Sequence, residues 1–127
     1  MMKMIDALNF LEAYSSIKNK PLKINIIYKL SKCLEECEKE RDFYQQQLAN
    51  ILNKYAKKDE NGNFIYTNEK TGILINESQQ QVCEKELSEL LTLDININEK
   101  YFIKITDIAD LELDIETFNK IKPFIVE

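Results

Sequence analysis

Apolar positions recur at gaps of three and four residues along one stretch of the chain: Ile27, Leu30, Leu34, Cys37, Tyr44, Leu48, Ile51 and Tyr55, with Arg41 filling the one polar place in the series. This is the repeat of a helix that lays a narrow stripe against a partner. It predicts a helix over about residues 21–57, roughly 55 Å long at ~1.5 Å per residue. Ile26 and Cys33 flank the stripe and widen its early part. Upstream, Ile5, Leu8, Leu11, Tyr14 and Ile17 recur at spacing three, with Phe10 and Ala13 beside them, which predicts a first helix over 4–18 folding back on the second. Pro21 disfavours helix in the residue before it and can open the next helix, where its missing N–H costs nothing.

Beyond Lys57 the pattern changes. Gly62 supplies a turn, and the β-rich runs at 64–67 and 73–75, separated by 68–72, predict a hairpin with a five-residue loop. Asn76 or Ser78 can cap a third helix with the stripe Val82, Cys83, Leu87, Leu90 and Leu91. Leu93, Ile95 and Ile97 alternate with polar residues as a half-buried strand, and Tyr101, Ile103 and Ile105 as another. Asp107 and Asp114 sit where helix caps are expected, the second ahead of a final helix over 115–121 that Pro123 stops, leaving an apolar tail at 124–126. The expected fold class is α+β. One domain spans 1–127, made of a helical hairpin with a long arm at 1–58 and a small acidic α+β part at 59–127.

Charge sharpens this division. Residues 1–58 carry eleven Lys and Arg against seven acids, a balance of +4, whereas residues 59–127 carry six against fifteen, a balance of −9. Such a split favours oriented docking on charged partners and opposes nucleic-acid binding by the acidic half. No apolar run is long enough to span a membrane, and the N-terminal residues lack the pattern of a secretory signal. Three cysteines, none in a CxxC pair, fit reduced thiols in a cytoplasmic compartment.

The chemistry-bearing residues exclude more than they suggest. There is no histidine, which removes the usual neutral-pH base and most zinc sites. Cys33 and Cys37 share a helix face but have only Cys83 to complete a metal site, so they fit better as small core residues. The acids Glu35, Glu36, Glu38, Glu40 and Asp42 lie near Lys32, Lys39 and Arg41 at ion-pairing spacing, which favours surface pairs over catalysis. Phosphate-loop, dinucleotide and metalloprotease patterns are missing. Neither an enzyme nor a cofactor or metal is expected.

Arg41, the only arginine, is a register device, an ion-paired interface residue or the exposed end of the stripe. The expected partner-binding residues are Arg41, Tyr44, Leu48, Ile51 and Tyr55 on the long helix and Glu86, Glu89, Phe102 and Glu112 in the acidic half. Phe102 stands out because it falls on the polar phase of its strand.

The segments KPLKINIIYKLSKCLEE, NKYAKKDENGNFIY, CEKELSELLTLDINI and YFIKITDIADLELD, in that order, resemble a family of small bacteriophage proteins of unknown function. The resemblance implies a phage or prophage origin and carries no functional residues with it. Two roles follow as expectations. One is an accessory protein that binds and modulates a host defence or replication complex in the host cytoplasm. The other is a virion or assembly component that packs on itself or on a larger phage protein. Both need a protein partner, the second with self-association; neither needs nucleic acid or a membrane.

Overall fold

The computed structural model describes residues 2–66 and 72–127, and within them the fold is α+β. A two-residue strand β1 (Met2–Lys3) leads into helix α1 (Met4–Ile17), followed by the long helix α2 (Ile24–Tyr55) and helix α3 (Gln80–Leu91). Strands β2 (Asp94–Ile95) and β3 (Ile103–Lys104), helix α4 (Ile115–Ile121) and strand β4 (Ile125–Val126) complete the order. The chain packs as two compact units, Met1–Asp42 with Leu93–Glu127 and, separately, Phe43–Thr92. The joints fall at 42–43, inside α2, and at 92–93, not near residue 58.

In the first unit α1 packs on α4. Its buried residues are Met4, Ala7, Phe10, Ala13 and Ile17, while Ile5 is exposed and Leu8, Leu11 and Tyr14 are only half-buried. Of the expected Ile5–Leu8–Leu11–Tyr14–Ile17 stripe only Ile17 is thus buried, and the inward face runs through Phe10 and Ala13, the residues expected beside it. A helix apolar on most sides has no single stripe, and Ala7 and Ala13 let a neighbour approach closely. Asp6 reaches back to accept the Lys3 N–H at 2.9 Å, satisfying a donor that the helix start leaves free.

The long helix begins later than its proline suggests. The N–H groups of Ile26 and Ile27 both donate to the Lys23 carbonyl at 3.0 Å, so the first turn forms after Pro21, which stands outside the helix. In its early part the buried residues are Ile26, Leu30, Cys33 and Cys37, whereas Ile27 is exposed and Leu34 half-buried. Leu30 and Cys37 of the expected stripe are thus buried, but Ile26 and Cys33, expected at its flank, take the inward places of Ile27 and Leu34. Two loop contacts fix this face: the Cys33 thiol donates to the Tyr101 carbonyl at 3.2 Å, and Glu36 accepts the Asn98 N–H at 3.0 Å.

Short ladders close the unit. β1 pairs antiparallel with β2, Met2 opposite Ile95, and β3 pairs in parallel with β4, Ile103 opposite Ile125. The expected apolar tail is thus a strand. Ile95, Ile97 and Ile103 are buried as their alternation predicts, but Leu93 and Ile105 are exposed. The Leu93 carbonyl instead accepts the Met4 N–H at 2.8 Å, and Ile105 begins a one-turn 3-10 helix, Ile105–Ile108.

In the second unit the chain after α2 closes a triangle of single bridges. The N–H of Lys57 donates to Leu74, that of Leu74 to Ile65 and that of Ile65 to Lys57, at 2.8, 2.8 and 3.1 Å. Asp59 organises the first turn: its side chain accepts the N–H groups of Asn61 and Asn63 at 2.9 and 3.0 Å, and Gly62 takes a positive φ of 81°. Residues 68–71 of the expected hairpin loop 68–72, and Thr67 of the run before it, lie outside the described residues. Asn76 precedes a 3-10 turn at Glu77–Gln79, but its side chain caps nothing there; its amide donates to the Tyr55 carbonyl at 3.2 Å. On α3, Cys83 and Leu90 are buried and Val82 is exposed.

Candidate functional site

The helix residues expected to meet a partner are only partly free. Tyr44, Leu48 and Ile51 are half-buried, and Tyr55 is buried at 7% exposure. Tyr55 belongs to the inside of its unit, where its carbonyl takes two bonds from Asn76. Beside it, Lys54 Nζ lies 3.0 Å from Glu86 Oε1. That hydrogen bond, helped by Tyr55, holds the Glu86 carboxyl below the usual carboxylate range, and hydrogen bonding to Glu86 raises the Lys54 ammonium and the Tyr55 phenol. Glu86 is therefore a structural partner rather than an unpaired surface acid. Glu89 is exposed.

Arg41 is half-exposed and makes a loose pair with Glu38 on its own helix, 3.7 Å away. Its Nε is buried without a hydrogen-bond partner among the described residues. Phe102 does not stand out on the surface. Its ring packs edge-on against Phe124 with centroids 5.6 Å apart, because strand alternation gives way to a 3-10 turn at Glu99–Tyr101.

Two exposed apolar surfaces of the first unit lie away from the expected helix stripe, and of the expected residues only Glu112 falls in sequence beside one of them, between Leu111 and Leu113. The first is an open groove of about 400 Å³ along residues 105–118, lined by Ile105, Ile108, Leu111, Leu113, Ile115 and Phe118 together with Thr106, Ala109 and Asp114. It is in the size range of ligand pockets. Ile115, the first residue of α4, is 80% exposed, and Ile105 44%. Asp114, the one charged lining residue, is acidic, and Asp110, Glu112 and Glu116, each next in sequence to a lining residue, are exposed, so the chain along the groove is an acidic edge. Asp114 is held below the ordinary carboxylate range by the Thr117 N–H it caps at 2.7 Å. Asp110 and Glu112 make no ion pair among the described residues, while Glu116 shares Lys120 with Glu12, each at 3.1 Å. The signal was legible: Leu111-Glu112-Leu113-Asp114-Ile115-Glu116 alternates apolar and acidic residues with no strand to use the alternation.

The second surface is a cavity of about 470 Å³ at the start of α2, lined by Ile24, Asn25, Tyr28, Lys29, Lys100 and Tyr101. Its charged lining is basic only. Ile24 is 80% and Tyr28 56% exposed, one helical turn apart on one face. Tyr28 meets Tyr101 edge-on at 6.2 Å, and Lys32 and Lys100 lie over the Tyr28 and Tyr101 rings at 5.6 and 5.0 Å.

Among the described residues no group of three or more His, Cys, Asp and Glu is placed to hold a metal, and no helix is long and apolar enough to cross a membrane. The chain matches no family model, no curated protein and no solved structure.

Proposed function

We propose that this chain is a non-enzymatic bacteriophage accessory protein that acts by binding another protein, as an inhibitor or modulator of a host defence or replication complex. The observation that carries the reading is the apolar groove at 105–118 with its acidic edge. Exposed apolar surface rimmed by polar residues marks interaction sites, and a negative edge steers a basic partner. Phage origin rests on the resemblance of the ordered segments given above.

The test is affinity capture from infected cells, with the wild-type chain and an Ile115→Asp variant as baits and mass spectrometry as readout. A protein captured by the wild type and lost with the variant supports the reading. Identical captures from both baits would remove the groove from it.

The second reading, a virion or assembly component, is favoured by one further observation. The chain itself carries a basic apolar surface, around Ile24 and Lys29, of the kind the groove would accept.

A further inference from the structure

We infer that the occupant of the groove is a second copy of this chain, whose Ile24–Tyr28 surface docks head-to-tail on the acidic edge at 105–118. The inference rests on the reading of that groove as a protein-binding face, and of the two roles above it takes the second, in which the chain packs on itself. Two features argue for it. Each surface pairs an open cavity, about 400 and 470 Å³, with one isoleucine that is 80% exposed, so Ile24 of one copy and Ile115 of the next can each enter the other's cavity. The charges also oppose: the only charged lining side chains are Lys29 and Lys100 on one surface and Asp114 on the other, where exposed Asp110 and Glu112 add to the negative edge.

Ile24 and Tyr28 lie one turn apart at the start of a helix, the spacing with which a helix places anchors in a groove. Because the two surfaces differ, the contact is heterologous. Each added copy leaves one groove and one basic surface unused, so growth continues past the dimer unless a ring closes. Opposite charge sets the direction of docking, since groove against groove or patch against patch brings like charges together.

Sedimentation velocity of the full chain across protein concentration tests this, at 0.1 M and 1 M NaCl. The expected result is association past the dimer at low salt that weakens at high salt, as the Debye length falls from ~10 Å to ~3 Å. Lys29→Glu with Lys100→Glu in one variant, and Asp110→Lys with Glu112→Lys in another, should each stay monomeric. Mixed, they should associate again, because each variant's groove then meets a surface of opposite charge. Adding Ile115→Asp and Ile24→Asp to both should abolish the recovery; these side chains are exposed, and circular dichroism checks that the variants fold. A wild-type chain that stays monomeric at every concentration, or association indifferent to both reversals, would overturn the inference. The affinity capture is independent of that outcome: a monomeric chain that still captures a protein through Ile115 keeps the groove and loses only the second copy.

Discussion

The ring of Phe10, midway along α1, lies with its centroid 4.5 Å from that of Phe124, three residues before Glu127. Both side chains are buried, and Phe124 also meets Phe102. The pair therefore joins the first helix to the last elements of the same unit. Phe124→Ala should destabilise the chain by about 3–5 kcal/mol, a large part of the stability of a domain this size. A double-mutant cycle with Phe10→Leu, read by urea denaturation, should give a coupling of about 0.5–1.5 kcal/mol. Strict additivity would mean that the rings are independent.

The Asp114 side chain accepts the Thr117 N–H at 2.7 Å and caps α4. Its folded pKa is lowered, so its contribution is present above the unfolded carboxylate pKa and is lost as pH falls through the lower folded value. Asp114→Ala should lower Tm by a few degrees at neutral pH. Asp114→Asn, which keeps an acceptor, should lower it less, and both differences should shrink in acid. Equal Tm for wild type and Asp114→Ala at pH 7 would show that α4 does not depend on its cap.

Regular elements were legible where one periodicity dominated. The α4 boundaries follow from Asp114 before the helix and Pro123 after it, and the long helix from its apolar repeat. Faces were less legible. Ile26 and Ile27 are adjacent and identical, so spacing alone could not say which one turns inward, and the loop that ties Cys33 and Glu36 to residues 98–101 decided for Ile26. Strands of two residues, such as β1 and β4, have no period at all. Ile115 stands in the legible alternation at 111–116, whereas exposed Ile24 has no such signal, because a single apolar residue at a helix start is ordinary in composition and only packing leaves it outside.

Cys33, Cys37 and Cys83 are all buried, at 1%, 0% and 2% exposure. Burial, helped by nearby glutamates, pushes the Cys33 thiol up to about 12 and raises the other two. Thiolate is the reactive form, so these thiols should resist modification in the folded chain. A disulfide reagent such as Ellman's at pH 8 should detect almost no thiol on mixing and all three after unfolding in urea. Fast native labelling of any one cysteine would show that its part of the core opens readily.

Lys54 and Glu86 form a pair within the second unit whose pH behaviour has a definite sign. The hydrogen bond from Lys54 lowers the Glu86 pKa, so this contribution is complete above the unfolded carboxylate value and fades as pH falls through the folded one. Lys54 is shifted the other way, upward, chiefly by the same bond. Its contribution is complete below the unfolded lysine value and fades as pH rises through the folded one. The two limits leave a plateau across neutral pH. The Glu86 side chain is 30% and that of Lys54 58% exposed, and screening by solvent keeps such a pair weak. Glu86→Gln should therefore lower Tm slightly at pH 7 and 150 mM salt, more in dilute buffer, and progressively less as pH falls through the folded Glu86 value. Lys54→Met should give the same trend in acid, and the double variant should lose no more than the worse single change. A Tm difference for Glu86→Gln that does not shrink at all as the solution is acidified would mean that the side chain acts by packing against Tyr55 and not through its charge.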